Sequence, residues 1–499
     1  MKTAVLGLAS CLLLASCNWL DSENQPFTEI TLQETSCWFD PPASNPATEC
    51  YFMHVPQDYD EPDDRWIYFP VVVIRQGTSS PGKNPVLHLG GGGPGNPLGF
   101  LPGADVDWIW SLYQGMSTDL GRDLVMIEPR GVGYSSPSLS CPEYVDLAED
   151  LLAQKISPEQ ENQLTRETYL ECRDRLEDDG VDFSFFNSAM VARDMEYLRA
   201  AMGVKQWNLY GVSYGSRYAQ TMARENPNSV ESMVLDAATF PDIVYTERSG
   251  DAYMQSLERL FRYCENEASC RDVLGDVRAS FWELVQKLEA SPPDFVMGHP
   301  YRAYEIDIQL TGLRFLNAYY NALYDASYYS GLPEVIDALD QGEIGRFNDA
   351  LVEWIYFILD EGYGDAAAIA HYCYEEWPFV NLERALDNLS ILPPVVREVA
   401  QVEMQATGQQ CEEWGVRPGP EVEGLPVSTD IPTLFLHGSL DPVLPVEDLE
   451  RHTQTFSRSE VVVFDDVSHS VVGVHHCGID LAGAFFDYKE DFYRHVDCL

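Results

Sequence analysis

The stretch "LYGVSYGSR", residues 209–217, decides how this chain is read. It leaves the apolar run Trp207-Asn208-Leu209-Tyr210 through a turn in which Ser213 stands between Gly211 and Gly215. Glycines two residues either side of the serine let the backbone bend sharply without a Cβ clash. With a strand before the bend and a helix after it, the hydroxyl is held clear of a sheet edge. It then lies beside the first N–H groups of the helix.

The flanks supply that context. Upstream, "IYFPVVVIRQ", "PVLHLGGGG" and "DLVMIEPRG" read as strands. "NSAMVARDMEYLRAAMG" has helical spacing, with Ala192, Met195, Leu198 and Met202 on one face and a stop at Gly203. Downstream, "RYAQTMARENP" is a helix ended by Pro227, and "VESMVLDAA" is a further strand. Strand–helix–strand repetition predicts an α/β fold, a mostly parallel sheet covered by helices on both faces. From 245 to 425 the rhythm is lost to aromatic-rich helical windows, and "IPTLFLHGSLDP" and "SEVVVFDDVSH" then resume it. The sequence is therefore divided into a core (18–244 and 426–499) and a helical cap insertion (245–425), with 18–36 a polar leader.

A serine hydroxyl attacks poorly unless a base takes its proton and an acid orients that base. Asp441 falls just past the strand "LFLH" and His469 just past "VVVF", at loops expected on the carboxyl edge of the sheet. Asp236 also ends a strand, but it precedes the insertion and is assigned to structure. Asp465 and Asp466 are assigned to solvent, His437 to a strand interior, and His475 and His476 to positions beyond the loop. Donors for an oxyanion come from "HLGGGGPGNP", residues 88–97. The N–H of Gly92 or Gly93 pairs there with that of Tyr214. A phosphate loop would need a G-K-[ST] ending, which is absent.

Together "GGGGPGNP", "EPRGVGYSSP", "LYGVSYGSRYA", "MVLDAATFP" and "HGSLDPVLP" resemble the proline iminopeptidase and tripeptidyl aminopeptidase branch of the α/β-hydrolases, over most of residues 50–498. The resemblance implies an α/β-hydrolase fold and a serine exopeptidase acting on peptides with a free N-terminus, without a cofactor. It matches Ser213, Asp441 and His469 to the family's triad and Gly92 to its oxyanion loop. "CYEEWPF", residues 373–379, resembles the cap motif whose acid receives the substrate ammonium group, which implies Glu375, with Glu376 beside it. The family's Asp-x-Arg-Gly is Glu128-Pro129-Arg130-Gly131 here, and Gly91 replaces a histidine that commonly heads the glycine loop. A carboxylesterase or lipase on the same three residues is the alternative. A non-catalytic envelope binding protein on this scaffold is a third reading, which the complete Ser–Asp–His set disfavours.

The first 17 residues, "MKTAVLGLASCLLLASC", have the lysine, apolar run and small residues of an export signal. They resemble a lipoprotein signal ending in Leu14-Ala15-Ser16-Cys17, with Cys17 lipidated. Asn18 after the cysteine implies the outer membrane of the envelope, on its periplasmic face. The run is too short to span a bilayer, so lipid alone would anchor the chain. Export into an oxidising compartment predicts disulfides. The simplest pairing in sequence order is Cys37–Cys50, Cys141–Cys172, Cys264–Cys270, Cys373–Cys411 and Cys477–Cys498, though sequence alone does not fix it. No C-x-x-C or Cys/His cluster has metal-ligand spacing. With 31 basic against 80 acidic residues the net charge is −49, which repels nucleic acid and anionic lipid.

Overall fold

The β-branched runs become strands that alternate their side chains between two cores. The computed structural model describes residues 29–41, 48–62, 65–76, 82–96, 98–100 and 106–498, the side chains of 107–109 apart. The expected export signal and Cys17 lie outside the described residues. The strands are β1 (Thr31–Thr35), β2 (Thr48–Pro56), β3 (Trp66–Ile74), β4 (Val86–Leu89), β5 (Leu124–Ile127), β6 (Trp207–Val212), β7 (Val230–Asp236), β8 (Asp294–Gly298), β9 (Glu305–Gln309), β10 (Thr433–Gly438) and β11 (Ser459–Phe464). Among the described residues nine of them form one sheet in the order β1-β2-β3-β5-β4-β6-β7-β10-β11. From β5 to β11 every neighbouring pair is parallel. The pairs β1–β2, β2–β3 and β3–β5 are antiparallel.

On β3, Val71 and Val73 face one core while Val72 and Ile74 face the other. The first core is closed by helices Ser188–Ala201 and Gly215–Glu225, the former burying the predicted face Ala192, Met195 and Leu198. The second is closed by helices Asp107–Leu120 and His476–Tyr488, through Trp110, Tyr113, Leu481 and Phe485. Strands covered on both faces are the expected state of a parallel sheet. A buried lock, Arg130 on Asp194 at 2.6 and 2.7 Å, ties the turn after β5 to the first of these helices. The Tyr59 hydroxyl donates to the same carboxylate at 2.6 Å.

Two expectations are corrected. Residues 31–35 are not leader but the edge strand β1, paired in register with Cys50–His54 of β2. Its sequence TLQET is polar because an edge strand half-exposed to solvent needs little apolar side chain, and the Cys37–Cys50 disulfide fastens its end. The insertion is not purely helical either. It holds the hairpin β8–β9, in which Ile306 and Ile308 alternate inward between exposed acids. It also recruits helices Pro142–Leu152 and Pro158–Asp178 from the first core segment. Val145, Ala148 and Leu152 sit in its core, and the second helix packs along Pro394–Trp414. All five disulfides in the chain-order pairing are formed.

Candidate active site

The loops that follow β4, β6, β7, β10 and β11 share the carboxyl edge of the sheet, where open α/β sheets build their sites. β6 delivers Ser213 in the left-handed region, φ 52°, and the helix Gly215–Glu225 begins two residues later. A Cβ on Gly211 would stand 2.8 Å from the Gly215 carbonyl, and one on Gly215 would strike the Leu89 carbonyl. Both glycines are therefore required by close backbone approach. A Cβ on Gly91 would lie 2.9 Å from Cβ of Ser213, so the residue that replaces the family's histidine is pressed directly against the elbow. The Ser213 carbonyl accepts from the Ser216 hydroxyl at 2.6 Å, which fixes the bend.

The imidazole of His469 is bound to the Asp441 carboxylate, Nδ1 to Oδ2 at 2.9 Å. Asp441 is buried and also accepts the N–H groups of Val443 and Leu444 at 2.7 and 3.1 Å. Nδ1 thus carries the proton, and Nε2 is buried with no hydrogen-bond partner, its lone pair available as a base. The Ser213 hydroxyl and Nε2 share no hydrogen bond among the described residues. That contact commonly tightens only when substrate is bound. Burial pulls the His469 pKa down, but the Asp441 carboxylate outweighs it and holds the group above its ordinary value. Burial likewise opposes ionisation of Asp441, and the His469 charge overcomes it, leaving the carboxyl far below the usual range. The ring of Tyr324, from the insertion, packs edge-on against His469 at 4.7 Å between centroids.

Above the elbow, Gly92 and Gly93 take φ of 86° and 79°, conformations open to glycine. Their loop is pinned by Asn96, whose amide donates to the Gly91 carbonyl at 3.3 Å. Gly364 of the insertion donates to the Gly95 carbonyl at 2.7 Å. Among the described residues neither the Gly92 N–H nor the Tyr214 N–H is taken by another group.

Glu375 is where the resemblance puts it, beside the elbow, but both its oxygens are occupied. Oε1 lies 3.0 Å from Nε of Arg217, accepts the Ser188 hydroxyl at 2.9 Å and also takes the Tyr214 hydroxyl. Oε2 accepts the Ser188 N–H at 3.1 Å. Burial opposes its charge, and Arg217 more than restores it. Glu376 differs: only Oε1 is engaged, by the N–H and hydroxyl of Thr246 at 2.8 and 2.6 Å. Burial raises its carboxyl, and Oε2 is unpartnered among the described residues.

His437 is buried and bonds the Leu444 carbonyl at 2.9 Å. Asp465 and Asp466 are exposed. His475 caps the last long helix and stacks on His476. Arg217 carries no motif signal in the sequence, although it stands four residues after the serine, in the first turn of the helix. Tyr324 carried no signal beyond belonging to an aromatic window.

Residues 86–475 match the alpha/beta hydrolase fold family. The chain belongs to that family. Among curated relatives, serine protease Hip1 of Mycobacterium tuberculosis (strain H37Rv) is 24% identical over 517 residues, spanning 93% of this chain and 91% of that protein. Tripeptidyl aminopeptidase of Streptomyces lividans is 29% identical over 258 residues, 49% of this chain and 46% of its own. Carboxylesterase B of M. tuberculosis (strain CDC 1551) is 32% identical over 212 residues, 40% and 38% of the two chains.

Proposed function

We propose that this chain is a serine peptidase that cleaves peptides from a free N-terminus through an acyl-enzyme. The observation that carries the reading is the His469 imidazole, held by Asp441 through Nδ1 and unengaged at Nε2, at the sheet edge where the elbow presents Ser213. In this mechanism Nε2 takes the Ser213 proton as the oxygen attacks the scissile carbonyl, and Asp441 stabilises the resulting imidazolium. The Gly92 and Tyr214 N–H groups receive the oxyanion. His469 then returns the proton to the leaving amine, and water releases the acyl group.

The peptide substrate is supported by the relatives named serine protease and tripeptidyl aminopeptidase. Free-amine selectivity is supported by the acid pair in the cap, where Glu376 rather than Glu375 keeps an oxygen for an ammonium group. Export is supported by the leader and by disulfides that fit an oxidising compartment. Lipidation at Cys17 is tested by palmitate labelling of wild type against Cys17→Ala. A carboxylesterase acting through the same three residues is the second reading, supported by the carboxylesterase relative.

The deciding experiment compares hydrolysis of free and N-acetylated peptide amides and of neutral acyl esters. Cleavage of free peptides well above acetylated ones, abolished in Ser213→Ala with the fold intact, is expected. Equal rates on both peptides discard the aminopeptidase reading, and cleavage of esters alone favours the carboxylesterase.

A further inference from the structure

We infer that Asp236, the last residue of β7, is a positioning residue that holds the nucleophile loop and the histidine loop in one frame. Its main-chain carbonyl accepts the Ser213 N–H at 2.9 Å. Its buried carboxylate accepts the N–H groups of Val471 and Val472 at 2.7 and 2.8 Å. It also takes the Ser470 hydroxyl at 3.2 Å and, from β6, the Tyr210 hydroxyl at 3.0 Å. Both loops contain a non-glycine residue at positive φ, Ser213 at 52° and Ser470 at 70°. Such conformations persist only where surrounding contacts over-determine them, and Asp236 holds both. Ser470 follows His469 directly, so the imidazole and the elbow are referenced to a single residue.

Burial raises the Asp236 carboxyl, and the N–H groups of Val472 and Val471 work against that by favouring its ionised form. The Val471 and Val472 N–H groups can only donate, one to each oxygen, so only a side chain with two acceptor oxygens satisfies both. An asparagine turns an N–H toward one of them. The charged and titratable groups around the imidazole are Asp441 and the neighbouring His437 from the β10 side, Asp236 from β7 and Tyr324 from the insertion. Asp236 is thus a second negative charge near His469, one that does not touch the ring.

The inference rests on Ser213 and His469 as nucleophile and base, and the test separates the two claims. Labelling of Ser213 by a fluorophosphonate is followed in wild type, Asp236→Asn, Ser470→Ala and Tyr210→Phe, alongside kcat, KM and the pH profile on a free peptide amide. In Asp236→Asn, labelling and kcat fall by about a hundredfold, the loss that a displacement of about 1 Å brings. KM stays within about threefold, and the acid limb of kcat moves to lower pH because a negative charge near the imidazole is gone. Ser470→Ala and Tyr210→Phe, each losing one of the two side-chain donors to the carboxylate, slow labelling by about three- to tenfold. If Asp236→Asn does not fold, those two decide. Labelled wild type with variants within about twofold of it, or slowed only in proportion to the unfolded fraction in near-UV circular dichroism, overturns the inference. Wild type that does not label overturns the assignment of Ser213 and this inference with it.

Discussion

Replacing Glu375 by glutamine separates two roles that its position allows. The carboxylate and Arg217 are 2% and 7% exposed at the side chain, so the pair has left water almost completely. Removing one partner of such a pair costs about 3–5 kcal/mol, because the other charge stays buried. The nearest remaining carboxylate, Glu423, is 4.0 Å from Arg217 and already holds Arg224 at 2.7 Å, so it compensates only in part. Glutamine also offers a single acceptor oxygen where Ser188 and Tyr214 present three donors. A loss of about 3 kcal/mol follows, the lower end of that range. Read by urea unfolding with the disulfides intact, and with a slope of about 3 kcal/mol/M, the midpoint falls by about 1 M. Turnover falls as well, since Tyr214 carries both the hydroxyl on Glu375 and the N–H offered to the oxyanion. The ratio of free to acetylated peptide cleavage, by contrast, stays near wild type in Glu375→Gln and collapses in Glu376→Gln. A Glu375→Gln protein with its midpoint within about 0.2 M of wild type and its amine discrimination lost refutes the reasoning and makes Glu375 the ammonium receptor.

Burial pushes the carboxyls of Glu128 and Asp365 up to about 7, so both bind protons more tightly folded than unfolded. Their contribution is present below about pH 4.5 and is lost as pH rises toward 7. At about 1.4 kcal/mol per pH unit, Glu128 alone accounts for at most about 3 kcal/mol. Glu128→Gln should flatten the fall in melting temperature between about pH 5 and 8, and an unaltered pH dependence refutes this. Because His469 must be neutral to act and its pKa is raised, kcat/KM should fall on the acid side with a midpoint above about 6.5. In Asp441→Asn that midpoint moves down and kcat drops by about four orders of magnitude, whereas a wild-type midpoint below 6.5 contradicts the His469–Asp441 coupling. Tyr324 is 40% exposed and packs on the His469 ring, which in the proposed mechanism protonates the leaving amine. Tyr324→Ala should therefore alter the ranking of substrates differing after the scissile bond while leaving deacylation unchanged, and a uniform change across leaving groups refutes the contact.

The sheet and the three candidate catalytic residues were legible because their signals are local. Apolar runs of β-branched residues mark strands, and a polar residue just past each run falls at the carboxyl edge by topology alone. β1 was hidden because TLQET is polar and its pairing with β2 is a tertiary fact, settled by register and by the Cys37–Cys50 bridge. The hairpin β8–β9 was hidden between stronger helical windows, its inward residues only Phe295 and Met297 on one strand and Ile306 and Ile308 on the other. Glu375 was found by resemblance, but its engagement by Arg217 was not, because a spacing of 158 residues carries no trace of a contact. The asymmetry between Glu375 and Glu376 is legible only from which oxygens already have donors.

The contacts of the insertion argue that it is part of the site and not only a cover for it. The loop bearing Asp441 exposes three successive carbonyls, and each is taken by a side chain of the insertion. Tyr329 donates to Leu440 at 2.8 Å, Arg259 to Asp441 at 2.6 Å, and Ser256 and Tyr320 to Pro442 at 2.9 and 3.2 Å. The histidine loop is held from the same side, Ser468 donating to the Leu323 carbonyl, and the glycine loop by Gly364. The acid bound to the imidazole is therefore held by helices inserted between β7 and β10 as well as by the strand that presents it. On that strand Gly438 accepts the Asp441 N–H at 3.2 Å and His437 bonds the Leu444 carbonyl at 2.9 Å. Without those donors the three carbonyls would turn to water and the Asp441 loop would lose the frame that aims it. An excised core should thus keep the fluorescence of a folded sheet yet lose fluorophosphonate labelling. Undiminished labelling of a folded core would show that the sheet alone suffices.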